Sequence, residues 1–341
     1  MTRRGFALPA VLAVTGVVTI VFLVAITALS SLTAEAQSAR SRIRFMERAL
    51  TAEAAVTMMA ATEPFSPTGV EVGGLRRVSE FLGMTPSFTT GVRSGDLRMD
   101  GRPYQASIDG VPTLIGVQDQ AGLINVSTLD QAGLDRLATA SGLSITRRRD
   151  LYPRLQDYVD SDDLRTLNGA EADDYDEGGP ANRRLLLGAE WLSVLGVREA
   201  VDARRWRALR DNVVADSTEA TGNVNTAPPA ALRIRFGLTE TETQRAIAAR
   251  DRGAILSMAD LGAIIGRDLN IDPLAIYTYP SGRMIFTIRD TQSPWVYRGR
   301  LSLTPGDPDQ PFWIDQTETF EGPQRTRADP TDAPAFPYPT R

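Results

Sequence analysis

The chain of 341 residues contains no cysteine and no histidine. Without cysteine, no disulfide can staple a fold outside the cytoplasm. Without histidine, Ser-His-Asp and Cys-His catalysis, imidazole acid–base chemistry and His-ligated zinc are excluded. Carboxylate-only catalysis and oxygen-ligated metals survive. Positive charge is in deficit: 37 basic against 42 acidic residues give a net charge of −5 and an isoelectric point of about 5.1. That balance argues against general affinity for nucleic acid. A further absence is local, because no charged side chain occurs between Arg4 and Glu35.

Val, Ile, Leu, Ala and Phe fill that interval, as in Val17-Val18-Thr19-Ile20-Val21-Phe22-Leu23-Val24. About 20 such residues, rising 1.5 Å each, cross a hydrocarbon core of about 30 Å. Arg3 and Arg4 precede the stretch, which places the N-terminus in the cytoplasm and the bulk of the chain outside it. Three readings compete. One is a cleaved export signal of twin-arginine type, with a peptidase site at Ala34-Glu35-Ala36. Another is a plain signal anchor. The third is a prepilin-type leader cut between Gly5 and Phe6, which leaves the apolar stretch as the first half of the mature helix. An export signal needs only about 7–15 apolar residues, well short of this run.

The helix is expected to continue past the membrane. Ile43, Met46, Leu50, Ala54 and Met58 recur at helical intervals, with Arg40, Arg44, Glu47, Arg48 and Glu53 on other faces. Pro64 and Pro67 end the pattern. A helix from Phe6 to Thr62 reaches about 80 Å, which suits a stalk rather than an export signal. The Gly5-Phe6 junction ahead of a long apolar helix resembles the type IV pilin-like superfamily. The glutamate usual at the fifth mature position of that superfamily is missing here, where Ala10 stands. That departure resembles the minor pseudopilin K family of type II secretion systems.

Beyond the stalk, Tyr104–Ile108 and Thr113–Val117 alternate as a hairpin across Gly110. A short helix is expected around Leu75–Leu82. An internal repeat follows. Asn125-Val126-Ser127-Thr128 leads to Leu134, and Asn223-Val224-Asn225-Thr226 leads to Leu232 at the same offset. Each unit reads as a short strand, a Ser/Thr N-cap and a helix ended by glycine. Further helices are expected at 151–159, 240–250 and 258–265, and strands at 284–289, 295–301 and 312–320. The economical arrangement is an α+β fold: a long N-terminal transmembrane helix on a small antiparallel sheet, with a large inserted all-α, helix-hairpin-helix-like subdomain. Two domains in tandem would leave the first hairpin marginal. The resulting division is a leader (1–5), a stalk (6–62), the first part of the α+β unit (63–126), the inserted subdomain with an acidic loop (127–275), the returning strands (276–321) and a Pro-rich tail (322–341) expected to be disordered.

Seven carboxylates lie between Asp160 and Asp176. Such density repels itself unless cations or water screen it, and calcium takes six to eight oxygen ligands. An EF-hand fails, because Leu164 and Arg165 occupy positions where an oxygen ligand and glycine belong. The Asp-x-Asp-Asp and Asn-Gly-Ala-Glu-x-Asp-Asp-Tyr elements of this loop resemble the minor pseudopilin K pattern. The resemblance implies calcium, held by some of Asp160, Asp162, Asp163, Glu171, Asp173 and Asp174. Asp157 and Asp160 read alternatively as a cap or a solvent-facing group. Because the acids cluster in one loop rather than flanking a cleft, hydrolysis by paired acids is disfavoured, and no enzyme is expected.

The second repeat, as far as Leu261, resembles helix-hairpin-helix modules of DNA-uptake receptors. Its Gly237-Leu238-Thr239-Glu240 hairpin, however, places acid where a phosphate would sit. The resemblance as a whole spans about residues 3–300. It implies a single-pass inner-membrane protein with a periplasmic head that starts and caps a pseudopilus. The implied partners are minor pseudopilins I and J, other pseudopilins, the inner-membrane secretion platform, prepilin peptidase and membrane lipid, with no nucleic acid. A membrane-anchored DNA-uptake receptor and an exported periplasmic binding protein are the alternatives.

Overall fold

A computed structural model of the chain describes residues 7–72, 96–216, 221–269, 276–322 and 332–337. Helix α1 runs Ala7–Thr62. Pro9 falls in its first turn, where proline is tolerated, and the next proline, Pro64, stops it. The helix expected at 75–82 lies outside the described residues. So do Gly5 and Phe6.

The sheet is built by β4 (Asp100–Ile108), β5 (Val111–Asp119), β10 (Arg283–Asp290), β11 (Trp295–Leu303) and β12 (Phe312–Glu321). Its order is β12-β11-β10-β5-β4, with every neighbour antiparallel. The β4–β5 turn is Asp109-Gly110, both with positive φ, the two-residue geometry that suits the twist of a hairpin. Ahead of the sheet, β1 (Phe65–Ser66), β2 (Gly69–Val70) and β3 (Leu97–Arg98) form a small meander.

The chain leaves the sheet at Asp119 and returns at Arg283. Between them lies the helical block: α2 (Gln131–Ala140), α3 (Ile145–Arg148), α4 (Leu151–Val159), α5 (Ala203–Leu209), α6 (Pro229–Ile234), α7 (Glu240–Arg252) and α8 (Met258–Ile265). The fold is therefore α+β, with a helical insertion between two central strands of one sheet. The repeat emerges as two short parallel pairings, β6 (Ile124–Asn125) with β7 (Val213–Val214) and β8 (Gly222–Asn223) with β9 (Ile276–Tyr277). The threonines of the repeat are not helix caps. Asp130 caps α2, and Pro228 precedes α6. Thr226 instead donates its hydroxyl to Asp119 Oδ2 at 2.8 Å.

Two cores result. Trp191, Leu134, Leu137, Leu232 and Ile255 centre the helical block. Phe45, Val56, Met284, Phe286 and Ile288 centre the packing of α1 on the sheet. Between them lie a small apolar cluster of Leu123, Val214 and Ile285 and a buried polar centre. Asp119, fully buried, accepts hydrogen bonds from Ala121 N, Ser281 N, Ser281 Oγ, Asn223 Nδ2 and Thr226 Oγ1. Burial pushes its carboxyl up, and those donors pull it partly back.

The tail departs from the expectation of disorder. Residues 332–337 lie along the outer edge of β4, with Phe336 buried in the sheet core. One aromatic side chain with a pocket to enter outweighs a disorder-prone composition. The rest of the tail, 323–331 and 338–341, lies outside the described residues.

Candidate functional site

Among the described residues, nothing covers the lower half of α1. Val11, Leu12, Ile20, Phe22, Leu23 and Leu32 are each more than 60% exposed. The helix is long and apolar enough to cross a membrane, with a mean hydropathy of 2.6 over its most apolar window. Five of its hydroxyls bond to the helix's own backbone. Thr19, Thr27, Ser30 and Thr33 donate to carbonyls three or four residues back at 2.8–3.0 Å, and Thr15 does the same to Val11. Those five hydroxyls would present no unpaired donor to hydrocarbon.

The upper half of α1 carries two apolar faces, and the face the sequence pattern emphasised is the uncovered one. The buried stripe is Phe45, Ala49, Ala52, Val56, Met59 and Ala60, packed on the sheet. Three alanines allow the strands to approach closely. Ile43, Leu50 and Met58 point away from the sheet and are 50–59% exposed. Arg48, which the pattern set on another face than the apolar stripe, is buried and paired with Asp290. Its Nε donates to Asp290 Oδ2 at 3.0 Å, and its Nη2 binds the same oxygen.

The acidic loop follows α4. Asn168 adopts a left-handed conformation, and a side chain at Gly169 would come within 1.8 Å of Asp157 Oδ2. The Asn-Gly pair thus lets the loop fold back onto α4. Asp157, which the sequence suggested as a cap or a solvent-facing group, is fully buried and accepts Thr166 N at 3.1 Å. Glu171 is also buried, and among the described residues neither of its carboxylate oxygens has a hydrogen-bond partner. Asp160 Oδ1 and Asn182 Oδ1 are likewise buried without donors. Burial raises the Glu171 carboxyl, and the charges of Asp157, Asp160, Asp163 and Asp162 raise it further. Asp160 is raised by burial and then by Asp162, Asp157 and Asp163.

The other predicted ligands are placed differently. Asp162 accepts Leu164 N at 2.9 Å, and Asp163 accepts Asn182 Nδ2 at 3.1 Å. Asp174 accepts Glu171 N at 2.9 Å and pairs with Arg165 at 2.6 Å. Asp173 is exposed. Among the described residues, no three acidic side chains already converge as a metal cluster. The unpartnered atoms of Glu171, Asp160 and Asn182 are nonetheless all acceptor oxygens, a donor set suited to a hard cation. Asn182 was not legible in the sequence, because it lies beyond the acidic run and reaches it only through Asp163.

The position where a helix-hairpin-helix would hold phosphate is occupied. Thr239 and Glu242 form a capping box at the start of α7. Glu242 also binds Arg267 at 2.6 Å, which with the Thr239 amide lowers its carboxyl to about 2. Glu240 pairs with Arg233. In the cleft of about 520 Å³ between the block and the sheet, Arg298 pairs with Asp211 at 2.9 Å and Arg300 with Asp315 at 2.7 Å.

No protein-family model matches the chain, and no curated protein matches its sequence. The fold does have a solved counterpart. A chain from the GspK-GspI-GspJ complex of the enterotoxigenic Escherichia coli Type 2 Secretion System superposes with a TM-score of 0.54 at 15% identity. The match covers 83% of this chain and 99% of that one. The two share a fold. The likeness spans almost all of the solved chain, so the pilin-like sheet and the inserted helical block are compared as one unit.

Proposed function

We propose that this chain is a K-type minor pseudopilin of a type II secretion system, a mechanical rather than catalytic subunit. The observation that carries the reading is the shared fold with a chain of the GspK-GspI-GspJ complex, covering nearly all of that chain. The uncovered half of α1 supports it, because a membrane-length rod with a second apolar face is suited to exchange lipid for neighbouring rods. Minor pseudopilins I and J are the proposed neighbours along that face. The head, in the periplasm, would cap the pseudopilus tip and help start its assembly. Ala10 in place of the usual glutamate fits an end position, where no following subunit offers an N-terminal ammonium and a carboxylate in the hydrophobic core would go unpaired. Prepilin peptidase would cut at Gly5–Phe6 and methylate the new terminus.

Calcium belongs to the same proposal. Glu171, Asp160 and Asn182 would hold it through their unpartnered oxygens, with Asp157 behind them. The ion would neutralise the loop's carboxylates and fasten it to the end of α4.

Intact mass and N-terminal analysis of the membrane-extracted protein test the maturation step. The expected start is N-methylated Phe6, and a start at Gln37 would mean that the rod is removed and the proposal fails. Assembly gives a second test. Leu50→Glu is expected to change head stability by no more than about 0.5 kcal/mol, as surface substitutions usually do. The same change should abolish co-purification with minor pseudopilins I and J. Undiminished co-purification would show that this face is not the contact.

A further inference from the structure

The sheet has two edges, and they are treated differently. Along β4 the chain's own tail is seated in parallel, with Ala335 opposite Gln105. Gln105 N donates to Pro334 O at 2.8 Å, and Phe336 N donates to Gln105 O at 2.7 Å. The Phe336 ring meets Tyr104 edge-on, with centroids 6.4 Å apart, and is only 7% exposed. This is the chemistry of strand addition: backbone bonds give affinity, and a side-chain pocket gives specificity.

The seat is also shallow. One residue of β4 is bridged, through two backbone bonds. Pro334 and Pro337 have no amide to extend the pairing, and Pro103, the next outward-facing position on β4, has none either. About ten peptide steps separate Gly322 from Asp332, roughly 35 Å of chain. The four strand spacings from β12 to β4 amount to about 19 Å.

We propose that the outer edge of β4 is a strand-acceptor site for an extended, uncharged peptide segment with an aromatic anchor. The chain's residues 334–336 fill it in cis, and a partner protein's segment of the same chemistry displaces them. A segment joined to the same chain by about ten peptide steps competes at an effective concentration on the order of millimolar, so its loss should expose the site to ligands in trans.

The probe is a fluorescent peptide with the sequence of residues 333–337, added to the full-length chain in detergent. The Phe336→Ala chain is expected to bind it at least about tenfold more tightly than the wild-type chain does. A peptide with alanine in place of phenylalanine should bind neither. Equal affinity for both chains, or no binding by a Phe336→Ala chain that still melts cooperatively, would overturn the proposal.

If Phe336→Ala loses its cooperative melt, the absence of cysteine supplies a second route. A Gln105→Cys chain with its tail otherwise intact is mixed with the peptide whose cysteine, at the position of Ala335, is activated as a 2-pyridyl disulfide, so that the chain's thiolate displaces pyridine-2-thione. The proposal expects a mixed disulfide that forms faster than with the same peptide lacking the aromatic ring. Equal rates would sink it.

Discussion

Replacing Arg48 with alanine is expected to lower the unfolding free energy by about 3–5 kcal/mol, the usual cost of stranding one partner of a buried ion pair. Arg48 lies on the buried face of α1, and Asp290 ends β10. Besides accepting the guanidinium, Asp290 Oδ1 accepts Gln292 N at 3.0 Å and Ser293 N at 2.7 Å. One carboxylate thus fixes the stalk to the sheet and also shapes the β10–β11 turn. Without Arg48 the carboxylate keeps its amide donors but loses its counter-charge. Arg48→Met combined with Asp290→Asn should recover at least about 1 kcal/mol, because the asparagine still accepts from the turn and no charge is left buried. Chemical denaturation of the two variants measures both quantities. A loss below about 1 kcal/mol for Arg48→Ala would mean that the pair does not secure α1.

A comparable effect is expected from calcium, and its sign should reverse at Glu171. At a free concentration about a hundredfold above the dissociation constant, a ligand bound only to the folded state adds about 2.7 kcal/mol. For a head of this size that corresponds to roughly 5–10 °C in melting temperature. Without calcium, the Glu171 and Asp160 carboxyls are raised in the folded state, first by burial and then by neighbouring carboxylates. A raised acid favours the folded state while it is protonated. Its contribution is complete below the unfolded values of about 4 and is lost as pH rises through the folded values. At pH 7 without calcium, Glu171→Gln should therefore melt above wild type, and the two should converge near pH 4. With calcium at pH 7 the order should invert, because wild type gains the ion and the variant largely does not. Thermal melts at the two pH values, with calcium and with chelator, test this. A Glu171→Gln chain stabilised by calcium as strongly as wild type would exclude Glu171 as a ligand.

The long periodic or alternating segments were readable from sequence. The stalk was bounded by Pro64 and the first hairpin by Asp109-Gly110, because a proline stop and a two-residue turn act through backbone geometry alone. The insertion of the helical block followed from the order of strands and helices. The acidic loop was visible as composition, and the unpartnered oxygens that single out Glu171, Asp160 and Asn182 within it were not. Nor was the covered side of α1. The helix has apolar residues on two faces, and periodicity cannot tell which one a sheet will cover. The close fit of strands against Ala49, Ala52 and Ala60 decided for the alanine-rich side and left Ile43, Leu50 and Met58 outside.

By itself the sequence determined what this protein cannot do and how far it reaches. Missing histidine and cysteine remove whole chemistries, and an uncharged apolar run sets a span, since both follow from side-chain types and a fixed rise per residue. Tertiary structure decided which charges are buried, which oxygens lack a donor and where the tail lies. Arg48 meets Asp290 across 242 positions, and Phe336 meets Tyr104 from the far end of the chain. Such pairings depend on distances between segments, which only the packed fold sets.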